Sequence, residues 1–366
     1  MISRAVRSLR ETAMSNVPGS NLVIHPTILR SPTEVVYTEY EPGAALPLKP
    51  GDDWTRFVCI SDTHNRSFPV PDGDVLLHSG DLTDLGRLRD FEITMNWLYG
   101  LPHKTKIITA GNHDLTLHQD WYEDHYERFH GRGKQDYAAI YDLMTGIEAK
   151  KAGVIYLEDE SYSFRTKEDG REWSVYGSPW SPWFHNWAFN YTADEAEAIV
   201  EKFPKTDILL THGPPYHIFD RTNTNHLPGC EVLRRRLPSL RPRIHLFGHI
   251  HEDHGARIHG WTAASKVEGA QPGAAAKGDH GGERQFEPLP PMHNLVLLED
   301  DESAGYVPPS HEAELAASDE RTVFVNAAAW PMGRLAQREV KAQEGGKTKT
   351  PFGGPGFQPV VVDLKD

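Results

Sequence analysis

Phe57-Val-Cys-Ile-Ser-Asp62-Thr-His64 is an apolar run of strand length that ends in an acid and an imidazole two residues apart. Side chains alternate along a strand, so Asp62 and His64 are expected to project together from its end and to offer one cation a hard oxygen and a borderline nitrogen. A single doublet of this kind is weak. Four further segments share the design: Val75-Leu-Leu-His-Ser-Gly80-Asp81, Ile107-Ile-Thr-Ala-Gly111-Asn112-His113-Asp114, Ile208-Leu-Leu-Thr-His212-Gly213 and Ile244-His-Leu-Phe-Gly248-His249-Ile-His251. Each is a short hydrophobic strand running into a turn that carries Asp, Asn or His. Glycine stands beside the ligand type in four of the five, where the missing Cβ lets the backbone bend and crowd a centre. Five strand ends converging on one point describe a metal site.

Outward from these strands the pattern alternates. Leu88, Phe91, Met95 and Leu98 recur at intervals of three and four, which predicts an amphipathic helix with Thr83 or Asp84 as its cap and Gly100 and Pro102 as its stop. Helices are also predicted over 115–129, 137–149, 193–202 and 231–237. Strands are predicted over 106–109, 154–157, 173–176, 207–211, 243–247, 322–326 and 359–364. Strands alternating with helices indicate a layered α/β domain, which we place at 55–262 and 320–366. Residues 1–54 read as an N-terminal lead-in, partly disordered, that packs on the outside of the domain. Residues 263–319 are rich in Ala, Gly, Pro, Glu and Lys. Such a low-complexity insertion cannot bury enough surface to offset its ordering entropy, and it is expected to be disordered or loosely attached.

At 366 residues, 38% hydrophobic and 25% charged, the composition is that of an ordinary globular protein. No apolar stretch approaches the roughly 20 residues that cross a bilayer, so no membrane partner is expected. The formal net charge of -14 argues against a nucleic-acid partner, because phosphate-backbone binding draws on clustered Lys and Arg. Cys59 and Cys230 are the only cysteines, which suits a reducing compartment and a cytoplasmic location. Arg4, Arg7 and Arg10 with Ile2, Val6 and Leu9 at helical spacing supply a mitochondrial presequence as the alternative. Of the twenty histidines, His118, His125, His130, His185, His254, His259, His280, His293 and His311 are taken as surface residues. The sequence does not fix an oligomeric state.

Asp62, His64, Asp81, Asn112, His212, His249 and His251 are too many ligands for one tetrahedral zinc and too rich in nitrogen for magnesium or calcium. Two divalent or transition metals, with manganese, iron and zinc as candidates, fit better at about 3.5 to 4 Å apart with one carboxylate shared. The centre would stay positive, attract an anion, and lower the pKa of a bridging water so that hydroxide can attack phosphorus. His113, next to Asn112, is then placed as general acid to the leaving oxygen. Asn65 and His113 are the candidate substrate contacts, although a turn-stabilising role suits Asn65 equally. Asp84 is read as a helix cap before a partner of histidine. Trp180, Trp183, Phe184, Trp187 and Phe189 fit a substrate wall or a core equally well.

Taken in order, Asp62-Thr-His64, Gly80-Asp81, Gly111-Asn112-His113-Asp114, His212 and Gly248-His249-Ile-His251 resemble the motifs of the calcineurin-like metallophosphoesterase superfamily, over about Arg56 to Asp253. The resemblance implies a four-layer α/β/β/α sandwich. It puts Asp62, His64, Asp81 and His251 on one metal and Asp81, Asn112, His212 and His249 on the other. Leu157-Glu-Asp159, Tyr176 to Phe184, Thr211 to Pro215, Phe247 to Glu252 and Val325-Asn326-Ala327 are similar to the eukaryotic metallophosphoesterase-domain-containing subgroup related to class III cyclic nucleotide phosphodiesterases. Some members of that subgroup have glycine where His249 stands, and Asp114 replaces their usual glutamate. The expected function is a dinuclear-metal phosphodiesterase for a small phosphoester, with cyclic nucleotides among the candidates. The alternatives are a phosphomonoesterase, a protein phosphatase of the same fold, or a metal-binding scaffold with little turnover. Protein phosphatases of this fold carry an arginine after Gly-Asp, and Gly80 to Gly86 has none.

Overall fold

Two strands, β1 (Thr27–Arg30) and β2 (Glu34–Glu39), precede the opening predicted one. Then come β3 (Trp54–Ile60), β4 (Val75–His78), α1 (Leu88–Gly100), β5 (Thr105–Ile108), α2 (Gln119–His130), α3 (Tyr137–Thr145), α4 (Ile147–Lys151) and β6 (Val154–Tyr156). The second half holds β7 (Glu160–Arg165), β8 (Glu172–Ser178), β9 (Ser181–Pro182), β10 (Asn190–Tyr191), α5 (Ala196–Val200), β11 (Ile208–Thr211), α6 (Glu231–Leu240) and β12 (Ile244–Phe247). It closes with β13 (Gly255–Trp261), β14 (Glu320–Asn326) and β15 (Val360–Lys365). The structure is a computed structural model and describes residues 27–40, 43, 45–261, 318, 320–333, 336 and 350–366. Residues 1–26 of the expected lead-in, and the expected insertion over 263–319 apart from Ser318, lie outside the described residues.

The strands form a seven-stranded sheet in the order β1-β2-β15-β3-β4-β5-β6 and a six-stranded sheet in the order β13-β14-β12-β11-β8-β7, with β9 and β10 as a separate short pair. Strands β3 to β6 run parallel, as do β8, β11, β12 and β14. Period-two alternation decides how the sheets stack. Phe57, Cys59, Leu77 and Ile107 of the first sheet share a buried cluster with Val175, Leu210, Leu246 and Val323 of the second, so these faces meet each other. Phe57 and Trp173 pack edge to face across that layer at 5.0 Å. The alternate residues Val58, Ile60, Leu76 and Ile108 face outward and are covered by Phe91, Met95 and Leu98 of α1 and Ile140 and Met144 of α3. On the far side Leu209, Phe247 and Phe324 are covered by Ala196 and Val200 of α5 and Leu233, Leu237 and Leu240 of α6. The result is an α/β fold with four layers in the order α/β/β/α.

Several expectations need correction. The stretch before residue 54 is not wholly outside the domain, because β2 pairs with β15, which in turn pairs with β3. Neither Thr83 nor Asp84 caps α1, whose N-cap is Arg87; the Thr83 hydroxyl instead accepts from Gly86 N–H and donates to Asp114. The helix expected from 115 begins at Gln119 after a single 3-10 turn over Leu115–Leu117. The helix expected over 137–149 breaks at Gly146 into α3 and α4. Among the described residues no helix is long and apolar enough to cross a membrane.

His254 and His259 are buried rather than on the surface. His254 Nε2 donates to Gln358 O at 3.0 Å, and burial pushes its pKa down to about 4. Burial pushes His245 down to about 3; its Nε2 meets Thr211 Oγ1 at 3.0 Å while Nδ1 has no partner among the described residues. Both are neutral in the fold but take up a proton near the ordinary histidine value when unfolded. Their contribution is therefore intact above about pH 6.5 and is lost as pH falls toward the folded values, on the order of 2 kcal/mol each by about pH 5. His254→Gln keeps a donor for Gln358 O and should lose less thermal stability than the parent between about pH 7 and pH 5. Parallel losses in the two proteins would show that His254 does not drive the acid sensitivity.

Candidate metal centre

The seven candidate ligands come from both sheets and from one end of each. Asp62 and His64 follow β3, Asp81 follows β4, Asn112 follows β5, His212 follows β11, and His249 and His251 follow β12. These are the carboxyl ends of parallel strands, where open α/β sheets place their ligand sites. The local geometry is not the strand alternation that the spacing suggested. Asp62, His64, Asp81 and His249 have φ of 54°, 44°, 54° and 67°, left-handed values that non-glycine residues seldom adopt. Such strain persists where the surroundings enforce it. Here the enforcement is visible: Asp62 N–H donates to Gly80 O and His64 N–H to Asp81 O. Close approach of the loops also dictates one glycine, since a Cβ on Gly248 would stand 1.9 Å from Asp62 Oδ2.

Two groups of donors result. Asp62, His64, Asp81 and His251 lie with their donor atoms within 4.8 Å of one another, and so do Asp81, His212 and His249. Asp81 belongs to both. Its Oδ2 is 3.6 Å from His64 Nε2 and its Oδ1 is 3.4 Å from His212 Nε2. Asn112 Oδ1 joins the second group at 2.9 Å from His212 Nε2. His251 Nε2 meets Asp62 Oδ1 at 3.0 Å, and His249 N–H donates to Asp62. His212 Nδ1 donates to Ser79 O at 3.0 Å, which turns Nε2 inward.

Two buried carboxylates this close need compensating positive charge. Burial pushes Asp62 and Asp81 up, but neighbouring imidazoles outweigh it, His251 chiefly for Asp62 and His212 chiefly for Asp81, and hold both below the ordinary carboxylate range. Burial likewise opposes a charge on His212, yet Asp81 prevails and pushes it up to about 9. In the chain by itself a proton therefore sits where a cation would. His64 Nε2 is buried with no hydrogen-bond partner. An orphaned imidazole nitrogen facing a carboxylate oxygen, in a set of two carboxylates, four imidazoles and one amide, fits divalent metal ions.

The other predicted residues surround this cluster. His113 Nδ1 donates to the Asp84 main-chain oxygen at 2.7 Å, and its ring packs 4.7 Å from that of His64 and 4.2 Å from that of Trp187. The Asp84 side chain accepts from Asn65 Nδ2 at 3.2 Å and lies 3.5 Å from His64 Nδ1, so Asn65 sits behind His64 through Asp84. The aromatics divide. Trp180 is held by Asp159 at 2.7 Å and Phe189 is buried, whereas Trp183 and Phe184 are 57% and 48% exposed. The Phe184 ring is 6.0 Å from that of His249. Two contributors were missed. Trp330 stacks on His251 at 5.5 Å and meets His64 edge-on at 4.8 Å. Asn326, at the end of β14, donates to Phe219 O and Ile250 O and so fixes the loop between His249 and His251. Asn326 lies in a quoted motif, but nothing in the local sequence marks Trp330.

The profile of the Calcineurin-like phosphoesterase family matches residues 55–253, more than half of the chain and all seven candidate ligands. The chain belongs to that family. The chain is 38% identical over 231 residues to metallophosphoesterase domain-containing protein 1 of Homo sapiens, an alignment covering 59% of this chain and 66% of the human protein. It thus spans just under two thirds of that relative. It is also 38% identical over 243 residues to the probable rhamnogalacturonate lyase C of Emericella nidulans, covering 65% of this chain but 21% of that protein. Among solved structures, the phosphopantetheinyl hydrolase of Mycobacterium tuberculosis aligns at 15% identity over 55% of this chain and 84% of its own, with a TM-score of 0.33.

Proposed function

We propose that this chain is a metal-dependent phosphoester hydrolase that prefers diesters, with two metal ions held by Asp62, His64, Asp81 and His251 and by Asp81, Asn112, His212 and His249. Bound there, such ions would polarise the phosphoryl oxygens and supply hydroxide from water at neutral pH. The chain's own groups do the rest. Asp81 joins the two halves and also accepts from His113 N–H at 2.8 Å, which ties the His113 loop to the cluster. The Asp84 main-chain oxygen fixes the His113 tautomer and leaves Nε2 for the substrate. Trp183 and Phe184 at the rim offer a planar surface to a base or aryl group.

The observation that supports a diester over a monoester is the charge of the wall. Every ion pair at the cluster among the described residues joins an aspartate to a histidine; Arg66 acts on Asp84 but is paired with neither Asp62 nor Asp81. A monoester dianion has one more charge to neutralise than a diester, and a fixed guanidinium is the usual means. The test is hydrolysis of a panel of diesters and monoesters by metal-stripped protein restored in turn with manganese, zinc, iron or magnesium. Diesters should be favoured by about tenfold or more in kcat/KM, corresponding to about 1.4 kcal/mol. Well-loaded protein should hold two metal equivalents. Monoesters cleaved equally well would make the phosphomonoesterase alternative the better reading.

A further inference from the structure

At the opposite end of the second sheet, where β8, β11, β12 and β14 begin, lies a cleft of about 470 Å³. Six cationic side chains line it: Arg171, Lys205, Arg241, Arg243, Arg321 and Lys365. Such a concentration stands out in a chain of net charge -14. Four carboxylates share the lining, but each is already engaged. Asp207 pairs with Arg171 and accepts from Ser174 N–H and Oγ at 2.9 Å. Glu320 pairs with Arg241. Asp366 takes Lys167, which is outside the cleft, at 2.9 Å. Glu34 accepts from Thr33 Oγ1 at 2.7 Å and from Ser31.

Arg243 shares Glu34 with Arg321, and neither contact with that carboxylate is within hydrogen-bond distance. The Arg243 guanidinium lies against the Trp173 ring, 5.2 Å from the centroid, with Arg171 over the same ring at 4.7 Å. The Arg243 side chain is only 18% exposed, and its ion pair with Glu34 spans 3.7 Å, beyond hydrogen-bond distance. Among the described residues no acceptor takes a hydrogen bond from it. A guanidinium stays charged at any relevant pH and carries five donors in a planar fork that matches phosphate oxygens. The Arg243 donors open toward the cleft and its solvent, and an anion seated there would complete the set. Lys205, exposed at the rim, makes no ion pair with a carboxylate among the described residues.

We propose that this cleft binds a small molecule bearing a diphosphate, with Arg243 and Arg171 taking the phosphates and Lys205 closing the rim. The volume exceeds what a diphosphate fills and falls in the range of small-molecule sites, so it leaves room for an attached group. The site lies at the amino ends of the strands whose carboxyl ends carry the metal centre. Its ligand would therefore not compete with the phosphoester substrate.

The experiment is calorimetric titration of the full, metal-stripped chain with inorganic pyrophosphate at low ionic strength. The stripped metal cluster balances its two carboxylates with protonated imidazole, so the response of the heat to Arg243→Gln and Lys205→Gln is what assigns it to the cleft. Saturable one-to-one binding is expected, weaker with added salt, and about tenfold weaker for inorganic phosphate, which meets fewer donors. Arg243→Gln should weaken it by about tenfold or more and Lys205→Gln severalfold. Thermal unfolding of Arg243→Gln establishes that it folds; if it does not, the exposed Lys205→Gln decides alone. Absence of saturable binding up to about 1 mM, equal affinity for phosphate and pyrophosphate, or affinity unchanged in the folded variants would each overturn the proposal.

Discussion

Asp81→Asn should strip the chain of both metals and lower kcat/KM further than any single histidine substitution at the cluster. The reason is which atom faces which group. Oδ2 of Asp81 is directed to His64 and Oδ1 to His212, so one carboxylate serves both halves. An amide replaces one of those oxygens with a donor and removes the charge that two bound cations would share. Removing one partner from a buried charge pair typically costs about 3 to 5 kcal/mol, or roughly 10² to 10⁴ in affinity. His64→Ala removes a neutral donor from the first group and leaves the second intact. Elemental analysis after dialysis should find little metal in Asp81→Asn and about one equivalent in His64→Ala. The substitution should be tolerated sterically, although the fit is tight: a Cβ on Gly111 would already stand 2.4 Å from Asp81 Oδ1. Equal metal content and equal losses of activity in the two variants would remove the bridging role of Asp81.

The ligand segments could be read from the sequence because each carries two signals at once, a buried strand and a turn bearing polar residues. The stacking was legible for the same reason: Phe57 and Cys59 go to one cluster, Val58 and Ile60 to another. What stayed hidden was of two physical kinds. Pairings between remote segments leave no local mark, as with β2 against β15, where Val36 meets Val362. Glu34 to Glu39 has the β-branched content of a strand, but only the distant partner makes it part of this sheet. The second kind is backbone conformation. The Asp62-x-His64 spacing named a pair that the structure does bring together, but for an inapplicable reason, since both residues leave the strand in left-handed turns and are held by hydrogen bonds to the next loop rather than by alternation. Trp330 illustrates the first difficulty, reaching His64 and His251 from a segment that the pairing of β14 with β12 and the bridge of Ala328 to Ser61 bring near.

His113→Ala should slow hydrolysis of a diester with an alkoxide leaving group by about 10² to 10⁴, the usual range for a lost general acid, while slowing a nitrophenyl ester far less. A ribose oxygen cannot depart without a proton, whereas nitrophenolate can. The structure sets a condition on this role. Burial pushes His113 down to about 4, so in the chain by itself the ring is neutral at neutral pH, with its proton on Nδ1 and held by Asp84 O at 2.7 Å. Nε2 is then an acceptor. It becomes an acid only if it gains a proton as the anionic phosphoester arrives, an event that the negative charge of the substrate favours. Trp187, packed at 4.2 Å, keeps the ring turned for that exchange. The comparison belongs in metal-replete protein at one pH, with metal content checked, because loss of metal would slow both esters alike. His113→Gln provides a control: its amide can bond a phosphoryl oxygen but cannot deliver a proton to a leaving group. If His113→Ala slows both ester types equally and His113→Gln restores them equally, the residue binds the phosphoryl group and the acid assignment fails.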